Sequence, residues 1–166
     1  YAIVKEIKTG LDRILSMSFS NNGDVVFVAG KMMLDDPHDI CIIRNGSEKV
    51  EVLASGRKFF GLSWNFNSKR VYFASLEGSR RLEGSKRMVG YVNINNPGSL
   101  HDLFEGRSIS ASDNEEKVCY LDLEAVAFLI KSGGVKEELK LSPKPLDPRF
   151  ADAIRFVKFG DELIVQ

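Results

Sequence analysis

The chain has 166 residues, 43% hydrophobic and 28% charged, which is the composition of one folded domain rather than of a disordered chain. Its 23 basic residues balance 23 acidic ones, so no net field draws it toward nucleic acid or an anionic membrane. No run reaches the roughly 18 apolar residues of a membrane span, and no leader peptide opens the sequence.

The opening "YAIVKEIKTG" lacks an initiator methionine and reads as one strand over 2–8, the outer strand of a preceding or closing sheet. The end, "DELIVQ", stops within a strand, so both ends are expected to be cut from something longer. Between them, short β-branched and aromatic runs alternate with clusters of Gly, Asn, Asp and Ser, the pattern of strands and turns. Strands are predicted over 14–19, 25–30, 39–44 and 49–54, then 59–64, 70–76, 87–93 and 100–104. A third set follows over 107–111, 117–121, 125–131 and 135–141, and a last pair over 152–157 and 162–166. The segment "LDLEAVAFLIK" over 121–131 is the one candidate helix. Its Val, Phe and Ile content and its run into Ser132-Gly133-Gly134 fit a strand and hairpin turn.

These sets are copies of one another. "ILSMSFSNNGDVVFVA" from Ile14, "FFGLSWNFNSKRVYFA" from Phe59, "RSISASDNEEKVCYLD" from Arg107 and "DAIRFVKFGDELIVQ" from Asp152 share a strand, a turn of about five residues and a second strand. The second strands begin at Val25, Val71, Val118 and Leu163, a period of about 46 residues. Phe19, Trp64 and Phe156 mark the same place in the repeat, with Ala111 there in the third copy, and are expected to be packing residues. A third and fourth strand follow in each full copy, around turns at Asn45-Gly46, Asn96-Pro97-Gly98 and Gly133-Gly134. Four antiparallel strands per 46 residues predict an all-β fold, a β-propeller with about three and a half blades, over 14–54, 59–104, 107–141 and 152–166. One such sheet leaves both faces open, so neighbours must cover both. "VVFVA", "CII" and "AVAFLI" accordingly run almost continuously apolar. Since propellers close with about 4–8 blades, the expectation is an incomplete ring, completed by more chain or by self-association through open blade edges.

The repeat resembles that of the TolB-like propellers and of the propeller domains of the prolyl oligopeptidase family, including acylaminoacyl peptidases. The matching residues are Phe19, Ser20, Gly23, Asp24 and Phe27-Val28-Ala29, with Asn45-Gly46 in the later turn. They recur as Ser63-Trp64, Asn67, Lys69 and Tyr72-Phe73-Ala74 in the second copy, and as Phe156 and Gly160-Asp161 in the fourth. The family's turn proline is absent: Asn21, Phe66, Asp113 and Lys158 stand near that place. The resemblance implies a non-catalytic domain that restricts peptide access to a serine peptidase. Its partner would be an α/β-hydrolase domain, in the same parent chain or another protein, and peptides are possible ligands. The alternative is a TolB-like interaction scaffold with no enzyme attached.

No reaction is spelled out in these residues. The nucleophile elbow GxSxG is missing, since "GLSWN" and "GRSIS" both lack the second Gly. His38 stands among Asp35, Asp36 and Asp39, and this group and His101 are read as loop residues without a second cluster to complete a metal site or a triad. No catalytic residue, cofactor or metal is therefore assigned. Cys41 and Cys119 lie in apolar runs and read as buried free thiols. With the missing leader they point to the cytoplasm. Partner contacts are expected on the loops 31–38, 77–86 and 142–151, above all at Arg80, Arg81, Lys86 and Arg87. The proline-rich "SPKPLDPRF" over 142–150 reads as an extended connection.

Overall fold

The computed structural model describes residues 9–11, 13–30, 36–77, 86–112, 116–131 and 134–139, and the backbone of 154–156 and 163–165. The described chain is all-β, built from thirteen strands that pair only antiparallel. Among the described residues no helix is long and apolar enough to cross a membrane.

The strands follow one another in space in the order of sequence. The first meander is β1 (Arg13–Phe19), β2 (Val25–Gly30), β3 (His38–Ile43) and the first half of β4 (Val50–Trp64). The second half of β4 opens the next meander, with β5 (Arg70–Glu77), β6 (Lys86–Asn93) and β7 (Leu100–Glu105). The third is β8 (Ser108–Ala111), β9 (Val118–Leu121), β10 (Ala127–Ile130) and β11 (Lys136–Glu138). A two-stranded sheet, β12 (Ile154–Phe156) and β13 (Leu163–Val165), completes the set. The first strands are mutual neighbours: β4 lies beside β1 and β8, and β8 beside β12.

The segment over 121–131 is not a helix. Asp122 Oδ1 accepts from the amides of Glu124 (2.9 Å) and Val126 (2.8 Å), folding a tight turn, and β10 starts at Ala127. The predicted break between 54 and 59 is absent. β4 runs unbroken from one meander into the next because His38 pairs with Arg57 and Leu76 with Lys58, which leaves no gap between partners. Gly56, at φ +93°, supplies the left-handed residue where the strand changes sheets. The strand expected over 2–8 lies outside the described residues.

Alternation along each strand builds a layered core. Val26, Val28, Ile40 and Ile42 point from the first meander toward Phe59, Trp64, Val71 and Phe73 of the second, and all are buried. The intervening residues Phe27, Ala29, Cys41 and Ile43 form a cluster on the opposite face. The second meander repeats this: Tyr72, Ala74 and Val89 point onward to Ile109, Ala111, Val118 and Tyr120 of the third. Cys119, Leu121 and Ala127 then occupy the third meander's far face. Each full meander is thus apolar on both sides, as the near-continuous apolar runs require. Burying one Phe or Val in such a layer contributes about 1.5–3 kcal/mol, so a single sheet standing alone would forfeit most of its stabilisation.

Both cysteines are free and buried, as expected. Burial, reinforced by nearby Asp39, pushes the Cys41 thiol up to about 11. Burial likewise pushes Cys119 up to about 12.

Candidate functional site: a pocket where the first strands converge

The end of each first strand is set by one small polar residue. Ser20 donates its amide to the Asp24 carbonyl (2.9 Å), and its Oγ accepts from the amides of Asn22 (3.2 Å) and Asp24 (3.0 Å). Asn65 does the same one repeat later. Its amide donates to the Arg70 carbonyl (3.1 Å), and its Oδ1 accepts from the amides of Lys69 (3.0 Å) and Arg70 (2.9 Å). Ser112 closes the third turn through the Lys117 carbonyl (2.9 Å). The Ser20 and Asn65 side chains thus satisfy turn amides that would otherwise lack partners.

The strands so terminated are also stitched side to side. Trp64 Nε1 donates to the Ser18 carbonyl at 3.2 Å, joining β4 to β1. Ser63 Oγ accepts from the Ala111 amide at 2.9 Å, joining β4 to β8. Asn21 Nδ2 donates to the Phe66 carbonyl at 3.3 Å and ties the first two turns together.

Between these strand ends lies a cavity of about 370 Å³, lined by Met17–Asn21, Ser63–Asn65, Ser110 and Ala111. Its size falls within the range of small-ligand sites. The lining holds hydroxyls, carboxamides, a thioether and two aromatic rings, and no charged side chain. Among the described residues lining the wall, no histidine, lysine or carboxylate stands beside its serines. Among the described residues no group of three or more His, Cys, Asp and Glu side chains could hold a metal ion.

The repeat markers Phe19, Trp64 and Ala111 meet in this wall, and only two of them pack as expected. Trp64 is 5% exposed and Ala111 is buried, whereas Phe19 is 65% exposed at the pocket's rim. Ser18, Ser63 and Ser110, which precede the three markers, converge as well. The repeat spacing carried this signal, since equivalent ends of neighbouring first strands must come together.

The other candidate residues lie elsewhere. Arg80 and Arg81 fall outside the described residues, as do most of the loops 31–38, 77–86 and 142–151. Lys86 is exposed at the start of β6, opposite Glu77, and Arg87 is half-buried opposite Leu76. These two stand at the end of the second meander away from the pocket. Of the acidic group, Asp35 is outside the described residues, and Asp36 and Asp39 are half-buried. His38 is not a solvated loop residue. It opens β3, is buried, and its Nδ1 lies 3.0 Å from the Phe59 carbonyl, because β3 begins directly after Pro37 and carries it into the layer against β4. His101 is likewise a strand residue, in β7. Its ring stacks on Tyr91 at 4.7 Å, and its Nε2 lies 3.3 Å from Ser99 Oγ.

Comparison of the sequence with family models and with curated proteins gave no match. The structure shows an all-β chain of antiparallel sheets with an uncharged pocket where β1, β4 and β8 end.

Proposed function

We propose that this chain is part of a β-propeller, about three and a half blades of it, that serves as a non-catalytic peptide-binding domain of the kind that gates access to a serine peptidase. Three features support the propeller reading: a 46-residue period, core layers on both sides of each full meander, and first strands that neighbour one another. The observation that carries the functional reading is the pocket. In a propeller it lies at the axis, where a ligand would pass. A wall of Ser and Asn beside Phe19 and Met17 offers hydrogen bonds to a peptide backbone and apolar contact to its side chains. The α/β-hydrolase partner implied by the sequence resemblance supplies the chemistry in this reading, and this chain supplies selection.

Trp64 is the chain's single tryptophan and stands in the pocket wall, so intrinsic fluorescence reports on the site directly. Titration of the chain with short uncharged peptides is expected to give a saturable emission change. The response should be unaltered between pH 5 and 8, since nothing in the described wall titrates there. No peptide or ester should be hydrolysed. Emission that is indifferent to every peptide, or turnover that persists through purification, would overturn the proposal.

A further inference from the structure

Building on the peptide-binding reading, we infer that the pocket is a carboxylate site that takes the C-terminal end of a short peptide on two hydrogen-bond donors, the Ser20 hydroxyl and the Asn65 carboxamide. A backbone amide can only donate, and two of them reach each of these side chains. Ser20 Oγ accepts from the amides of Asn22 (3.2 Å) and Asp24 (3.0 Å), which uses both of its lone pairs. Its O–H must then donate in another direction, and no acceptor among the described residues takes it. Asn65 Oδ1 accepts from the amides of Lys69 (3.0 Å) and Arg70 (2.9 Å), so it too is full, and the same contacts fix which end of the carboxamide is the oxygen. Its Nδ2 gives one hydrogen to Asn67 Oδ1 at 2.6 Å and keeps the second. Both side chains line the pocket, and both are at least nine-tenths buried. Two further acceptors of the wall are spent as well: the Ser18 carbonyl on Trp64 Nε1 (3.2 Å) and Ser63 Oγ on the Ala111 amide (2.9 Å). At these four residues the pocket has used its acceptors and retains donors.

A peptide C-terminus fits that arrangement. Ser20 follows Phe19 and Asn65 follows Trp64 at the same place in two copies of the repeat, so the donors come from the ends of the adjacent strands β1 and β4, one for each carboxylate oxygen. A carboxylate is acceptor-only, and a hydrogen bond to a charged acceptor is about twice as strong as a neutral one. An amide in the same place would bring N–H groups to oxygens that have no lone pair left, and a buried donor without a partner is costly. The wall holds no carboxylate to repel the ligand. Asp24, in the same turn as Ser20, lies outside it, with Oδ1 accepting the Asn45 amide at 2.8 Å. Met17 and Phe19, 55% and 65% exposed, offer apolar contact to the peptide's last side chain.

Trp64 emission reads the test. N-acetylated Ala-Leu with a free carboxylate is expected to bind at least about tenfold more tightly than its C-terminal amide, and millimolar acetate to compete with it. The carboxylate stays ionised from pH 5 to 8, so its affinity should hold across that range. Asn65→Asp keeps an oxygen for the Lys69 and Arg70 amides and replaces the spare N–H by a charged acceptor. It should retain the parent's circular dichroism spectrum and lose the preference for the acid. The comparison of acid with amide on the parent chain needs no variant, so it decides the matter even where Asn65→Asp fails to fold. Equal affinity for acid and amide would overturn the carboxylate site and leave peptide binding standing. Acetate binding as tightly as the acid would support the carboxylate site and overturn the peptide reading. A folded Asn65→Asp chain that keeps the parent's preference would overturn the inference, and emission indifferent to all three probes would overturn both.

Discussion

Two residues at the same place in the repeat, Phe19 and Trp64, differ in what they contribute because, among the described residues, a sheet packs on one and none packs on the other. Trp64 is buried in the layer between the first two meanders, and its indole N–H satisfies the Ser18 carbonyl. Trp64→Phe removes that donor and leaves a small void, and should destabilise the fold by about 1–3 kcal/mol in urea unfolding followed by circular dichroism. Phe19→Ala should stay within about 0.5 kcal/mol of the parent, since the ring is mostly in water already. Equal losses from the two substitutions would contradict their placement. The contrast also marks the limit of reading the sequence at this scale. Spacing alone put both rings in one column, and they do share a wall. Which of them is covered depends on what lies against each sheet, and no local pattern around Phe19 encodes that.

Individual strands were legible to within a few residues wherever β-branched runs end at Gly, Asn, Asp or Ser. The lapses have local causes. Asp122 spends its side chain on a turn, so β10 begins at Ala127 rather than two residues earlier. Ser55–Lys58 look like a connection because Gly56 interrupts an apolar run. The backbone instead passes through Gly56 without leaving the ladder. His38 was misplaced because a Pro-His pair flanked by aspartates resembles a loop, while its ring is held by a carbonyl 21 residues further along. At the element scale the sharpest constraint is in β6. A Cβ on Gly90 would stand 2.4 Å from the His101 carbonyl oxygen and 3.0 Å from the Phe73 ring, and backbone is what it would meet first. Gly90→Ala should therefore separate β6 from β7 and cost about 2–3 kcal/mol, read as a lowered urea midpoint with an unchanged slope. A midpoint equal to the parent's would show that β7 is not held as described. Neighbouring contacts of the same strands are less demanding. Arg57 and Asp102 form a two-point ion pair between β4 and β7, at 2.5 and 3.0 Å, but it sits at the solvent boundary and should add no more than about 1 kcal/mol.

Across the whole molecule, the all-β class and the succession of strands followed from one period in the sequence. The pocket did not, because it belongs to no single copy: it is formed where three copies abut, and sequence gives each copy's end without the angle between them. Stability, too, is a property of the stack. Cys41 and Cys119 lie in different layers, and burial raises both thiols above the ordinary value of 9.0, to about 11 and about 12. Below pH 9 both are protonated whether the chain is folded or not, and their burial is fully tolerated. Above pH 9 the unfolded chain releases these protons while the folded chain retains them, so stability falls as pH rises toward 11 and 12. The expected result is a melting temperature that declines above pH 9, with a shallower decline in a Cys41→Ala, Cys119→Ala double variant. Identical alkaline slopes in the two proteins would place the thiols in water.

The unbroken passage of β4 has a mechanical meaning. A loop between two sheets acts as a hinge and yields first under load. Here a fifteen-residue strand is the tie, hydrogen-bonded to β3 along one half and to β5 along the other. Tension applied across the first two meanders would load both ladders in shear at once, so they should give way together in a single rupture event. New chain ends introduced at Ser55–Lys58 would cut that tie, so a permutant opened there should lose the joint rupture of the two ladders.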